Sequence, residues 1–120
     1  DGKIASAARA DYAAVAARVI SEDGHAGKVY ELAGDEAWTL SDLAKELTEQ
    51  SGKNVVYQNL SQADFVAALK NAGLPDKLSE MLAYSDIGAS EGGLFDDSHT
   101  LSKLIGRPTI TLAESIKSIL

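Results

Sequence analysis

The 120-residue sequence predicts a mixed α/β body, mostly helical, with one short pair of parallel strands. Three observations predict it. Apolar residues recur at helical spacing in several separate stretches. Hydroxyl–carboxylate pairs three residues apart mark helix starts, and glycines stand where the periodicity ends. Two segments, 28–33 and 54–58, alternate in the period-two manner of strands and flank one of the helices. They form a strand–helix–strand unit whose crossover runs right-handed and parallel.

Each element follows in order. Tyr12, Val15, Ala16 and Val19 share a face, which predicts a helix over 10–22, with Asp11 placed to bond the free amides at its start. Gly24 and Gly27 bracket a turn before the first strand, Lys28-Val-Tyr-Glu-Leu-Ala33. Thr39 and Asp42 make a T-x-x-D cap; Leu40, Leu43, Ala44 and Leu47 line one face, and Gly52 closes the helix. Asn54-Val-Val-Tyr-Gln58 is the second strand. Ser61 and Asp64 cap the next helix, with Phe65, Ala68, Leu69 and Ala72 on one face, stopped by Gly73 before Pro75. Leu78, Met81 and Leu82 begin another. The glycine-bearing stretch 88–95 reads as a loop. Leu101, Leu104 and Ile105 predict a short helix ended by Gly106, started by Asp97 or Ser98. Thr111 and Glu114 form a capping box for the last helix, which carries Leu112, Ile116 and Ile119.

Composition excludes several classes of function. A net charge of −7 repels phosphates, so nucleic acid is not a partner. Without cysteine the chain has no disulfide, thiolate metal site or thiol nucleophile, as suits a reducing cytoplasm. The alanine-rich stretch from Ala5 to Ile20 is broken by Arg9, Asp11 and Arg18, which excludes a membrane span there. The length suits one modest core.

Four segments in fixed order carry a resemblance: Arg9-Ala-Asp-Tyr-Ala13, Tyr30-Glu-Leu-Ala-Gly34, Trp38-Thr-Leu-Ser-Asp-Leu-Ala44 and Gly106-Arg-Pro-Thr-Ile-Thr-Leu-Ala-Glu114. Together they resemble the C-terminal pattern of NmrA-like proteins, atypical short-chain dehydrogenases, and within them the bacterial type 2 NAD(P)H:quinone oxidoreductases. The resemblance implies that residues 1–120 are the C-terminal, substrate-side part of a Rossmann-type enzyme that binds NADP and passes a hydride to a quinone or similar flat molecule. No Gly-x-Gly-x-x-Gly fingerprint follows a strand, and the chain opens at Asp1 without Met. A C-terminal fragment lacking the N-terminal Rossmann half is therefore expected, inactive in isolation. Its apolar faces on 10–22 and 112–120, left open by the missing sheet, would make copies associate or leave the fragment poorly stable. A non-enzymatic NADP-binding redox sensor of the same family is the alternative.

The Tyr-x-x-x-Lys acid–base pair of ordinary short-chain dehydrogenases is absent, so no catalytic or cofactor-binding residue is assigned within the chain. Met81, Tyr84 and Phe95 are the candidate substrate contacts, because aromatic faces and a thioether suit quinone stacking. The helical spacing around Met81 fits core packing as well. His99 near Asp96 and Asp97 could suggest a metal, but the run more simply supplies a helix start. His25 reads as a solvated turn residue, and Asp11 as a cap rather than a catalytic base.

Overall fold

A computed structural model describes residues 1–120. Its regular structure consists of six helices: α1 (Arg9–Ser21), α2 (Leu40–Ser51), α3 (Gln62–Asn71), α4 (Asp76–Ser90), α5 (Thr100–Ile105) and α6 (Leu112–Lys117). None is long and apolar enough to cross a membrane. The capping chemistry sets several boundaries. Thr39 and Asp42 at α2, and Thr111 and Glu114 at α6, form reciprocal capping boxes, and the Ser61 hydroxyl accepts the Asp64 amide at α3. Gly52 and Gly106 end α2 and α5 in the left-handed conformation, which costs a side chain more than it costs glycine.

The helices pack in three pairs, α1 with α5, α2 with α6 and α3 with α4. Val15 of α1 meets Leu101 and Ile105 of α5, and this small cluster draws in Ala7, Val19, Leu32 and Leu104. In the α3–α4 hairpin, α4 turns Ser79 and Ala83 inward, and small side chains there let two helices approach closely. Lys70 of α3 reaches both Asp76 and Glu80 of α4. This hairpin packs on no other helix.

Several expectations are corrected. Neither 28–33 nor 54–58 is a strand; the chain's one β-bridge joins Ile4 to Trp38, antiparallel. Period-two alternation marks an extended backbone, but a strand also needs a neighbour to complete its ladder, and these 120 residues supply none. Side chains stand in for one. The Thr48 hydroxyl both accepts from the Val55 amide and donates to the Val55 carbonyl, and the Tyr12 hydroxyl donates to the Leu32 carbonyl. Val29 and Val56 are left 90% and 74% exposed.

The predicted loop at 88–95 begins too early, since α4 continues through Gly88 to Ser90 and the turn follows at 91–94. Asp97 does not cap α5, and Ser98 does so only from one place further out: His99 holds the position before the helix with φ 55°, while the Ser98 hydroxyl donates to Asp96 and accepts the Thr100 amide at a long 3.4 Å. The inner faces of α1 and α6 are covered by the chain itself through Val15 and Ile116. Exposed apolar residues sit instead at Ile20 near the end of α1, at Ile119 and Leu120 beyond α6, on α4 at Leu78, Met81, Tyr84 and Ile87, and along the unpaired segments.

The body is open. Its radius of gyration is 17.0 Å, against about 14 Å for a compact domain of this length. Only 11 of 120 residues are buried, too few for one continuous core.

Candidate functional site

The first residues thread between the two halves of the chain. Gly2 lies against the backbone of Ala89 and Ser90, where a β-carbon would overlap the Ala89 carbonyl. Ile4 exchanges hydrogen bonds with Trp38 at 2.8 and 3.0 Å, and the Ala5 amide donates to Leu94. The Asp1 carboxylate accepts from the Leu40 amide and the Ser41 hydroxyl, at the positive end of α2.

This threading opens a 510 Å³ cleft between the N-terminal segment, residues 57–62 and the inner side of the α3–α4 hairpin. Tyr57, Leu60, Phe65, Ile87 and Leu94 give it apolar and aromatic walls. Gln58, Asn59 and Gln62 add amides, and Asp86 adds a carboxylate. The Tyr57 hydroxyl donates to the Asn59 side-chain carbonyl at 3.1 Å, which leaves the Asn59 amide group as a free donor. An apolar cleft with a few polar groups suits a flat, partly polar small molecule.

The Gly106–Glu114 segment does other work. Asp11 is fully buried, but it does not cap α1, whose preceding residue is Ala8. Its Oδ2 accepts from the Ile110 amide at 2.8 Å, and its Oδ1 pairs with Arg107 at 2.6 Å. Asp35 takes the next stretch: its Oδ2 accepts the Thr109 amide, and its own amide donates to the Thr109 hydroxyl. Glu36 accepts the Leu112 amide. Three carboxylates thus hold the backbone between α5 and α6, and the motif's conformation is structural.

Burial pushes the Asp35 carboxyl up, but hydrogen bonds from Ser102, Thr109 and His99 together hold it below its ordinary value of 3.8. Bonds from the Thr39 backbone amide and hydroxyl lower Asp42, the Ser98 hydroxyl and amide lower Asp96, and the Thr111 amide and hydroxyl lower Glu114. A carboxylate depressed in the folded state stabilises the fold above its unfolded pKa, and the gain fades as pH falls through the folded value. Asp35→Asn is therefore expected to lower the urea midpoint at neutral pH, and to match the native chain at about pH 2. An unchanged midpoint at pH 7 would show that Asp35 contributes nothing.

Of the three candidate contacts, Met81 and Tyr84 on α4 are 57% and 73% exposed and do not line the cleft. Phe95 follows Leu94 at the rim and is 45% exposed. The cleft's own aromatics, Tyr57 and Phe65, were not assigned from sequence. For Tyr57 the signal was positional: it stands one residue before the end of the second extended segment, and ligands in α/β folds sit beyond the carboxyl ends of strands.

His25 is not solvated, since its Nδ1 lies 2.7 Å from the Tyr30 hydroxyl and its side chain is mostly covered. His99 Nδ1 sits on Asp35 at 2.8 Å rather than beside Asp96 or Asp97. No group of three or more His, Asp or Glu side chains is arranged to hold a metal ion.

Comparison with known proteins supports the resemblance. Quinone oxidoreductase 2 of Escherichia coli K12 is 76% identical over 119 residues, which are 99% of this chain and 42% of that protein. The crystal structure of the NADPH-dependent quinone oxidoreductase from Escherichia coli in complex with NADPH matches at a TM-score of 0.94 and 76% identity, over 99% of this chain and 42% of that one. Triphenylmethane reductase of Citrobacter sp., complexed with NADP(H), matches at 0.90 and 37% identity, over 99% and 41%. The chain thus spans less than half the length of these relatives, and it aligns with the C-terminal part of the quinone oxidoreductase. No family model matches it.

Proposed function

We propose that residues 1–120 form the acceptor-side portion of an NmrA-like, NADPH-dependent quinone oxidoreductase, with the Rossmann-type nucleotide-binding half lying outside them. The observation that carries this reading is the 76% identity along 99% of the chain. The cleft agrees with it, because aromatic walls and amide donors match the faces and the carbonyl oxygens of a quinone.

The residues present do not fit NADPH. Pyrophosphate recognition uses backbone amides at a glycine turn leading into a helix. The glycines with positive φ here stand in the turns at Gly24, Gly27, Gly73 and Gly92 and at the helix ends Gly52 and Gly106. No step of cofactor chemistry is therefore assigned to this chain. Its part is to hold the acceptor, exclude water from its apolar face and orient its oxygens toward Asn59 and its neighbouring amides.

Kinetics of the full-length protein test the assignment. Tyr57→Ala and Phe65→Ala are each expected to raise the quinone KM roughly tenfold while leaving the NADPH dissociation constant unchanged. Met81 and Tyr84 on α4, with Phe95 next to the cleft-lining Leu94, are the second candidate set. The same change at those positions would place the quinone there instead. Unaltered quinone kinetics in all five variants would remove the acceptor from both faces.

A further inference from the structure

We infer that the turn after α1 is a site of self-modification: Asp23 converts to isoaspartate through attack by the Gly24 amide nitrogen, while the fold protects the pair Asp1-Gly2 from the same reaction. The sequence holds these two Asp-Gly pairs and no Asn-Gly. The step needs no co-reactant but water. The Gly24 nitrogen attacks the side-chain carboxyl carbon of Asp23, the new C–N bond closes a five-membered imide, and the displaced oxygen leaves as water. Hydrolysis of the ring at the original main-chain carbonyl returns that water and leaves the chain running through the β-carboxyl carbon. The main chain is then one carbon longer, and a free α-carboxylate replaces the side-chain one.

Ring closure requires a carboxyl free to rotate and a nitrogen open to approach. Asp23 and Gly24 are both exposed, in the turn beyond the last residue of α1, Ser21. The charges around them are engaged elsewhere: Arg18 pairs with Glu22, and His25 faces Tyr30 and Glu22. The Gly24 amide makes no backbone hydrogen bond, and nothing lies within 4 Å of the place a β-carbon would take. At φ 92° the turn depends on a glycine, the residue that hinders such an attack least. Asp1-Gly2 has the same dipeptide without the freedom. The Gly2 amide also lacks a backbone partner, so the difference lies in the carboxylate and the packing. The Asp1 carboxylate accepts from the Leu40 amide and the Ser41 hydroxyl, and a β-carbon on Gly2 would stand 2.3 Å from the Ala89 carbonyl oxygen. Attack there must first give up the carboxylate's bonds and then lift the backbone out of its seat.

Ageing of the full-length protein tests this, in mildly acidic buffer, where the carboxyl oxygen can leave as water. Peptide mapping by mass spectrometry with electron-transfer fragmentation reads the product at each pair, and labelling by an isoaspartyl carboxyl methyltransferase reads the total. Conversion at Asp23 is expected to run roughly tenfold ahead of conversion at Asp1, the ratio set by giving up one hydrogen bond to a carboxylate. In guanidinium chloride, with the fold removed, the two pairs are expected to convert at similar rates. Asp23→Glu should abolish the product at the turn, because the larger imide ring closes far more slowly. Absence of isoaspartate at Asp23 in the native protein, or equal conversion at both pairs there, would overturn the inference. So would a preference for Asp23 that persists unchanged after unfolding, since the cause would then be the sequence and not the fold.

Discussion

Titrated with NADPH, residues 1–120 alone are expected to show no saturable binding up to about millimolar concentration, and to reduce no quinone. The full-length protein should do both. The difference is one of parts. A dinucleotide is held by amides at a glycine turn and by the positive end of the helix that follows it, and the acceptor must lie in near contact with the nicotinamide. In the proposed division this chain supplies the acceptor cleft and the missing half the phosphate-binding elements. NADPH fluorescence and calorimetry on the isolated polypeptide are the measurements. Micromolar binding would mean that the nucleotide site lies within these residues, against the proposed division.

The second large effect is on stability. Leu101→Ala is expected to cost about 3 kcal/mol, enough to remove most of the cooperative unfolding of the isolated chain. Leu101 is completely buried, and Val15 and Ile105 meet on it, so truncation leaves a void in the only cluster that joins α1 to α5. With few other buried residues, little remains to compensate. Ile119→Ala serves as the comparison, since a side chain 78% exposed should contribute less than about 0.5 kcal/mol. Urea unfolding followed by far-ultraviolet circular dichroism distinguishes them, and equal midpoints for the two variants would show that the cluster does not hold the fold.

Local chemistry was legible where both partners lay within a helical turn. Thr39 with Asp42 and Thr111 with Glu114 could be read as capping boxes because three residues separate hydroxyl from carboxylate, and Gly52 and Gly106 stand where their helices stop. Long-range partners were not legible. Asp11 carries the same local signal as a capping residue, yet its oxygens meet Ile110 and Arg107, about a hundred positions away. Strand propensity at Val29 and Val56 described the backbone correctly and the pairing wrongly, because pairing depends on a neighbour the pattern does not encode. The cleft was missed for a related reason. Tyr57 and Phe65 fall in different elements, and only the packing of the N-terminal segment brings them to one space.

The isolation of the α3–α4 hairpin has a mechanical consequence. Because it packs on no other helix, its links to the rest of the body are the two chain connections and the contacts of Gly2 and Ala5 with residues 89–94. It is a lever mounted on a narrow pivot, and the cleft lies in its angle. Rotation about that pivot would change the width of the entrance without moving Val15, Leu101 or Ile105, so the entrance and the packed cluster are mechanically separate.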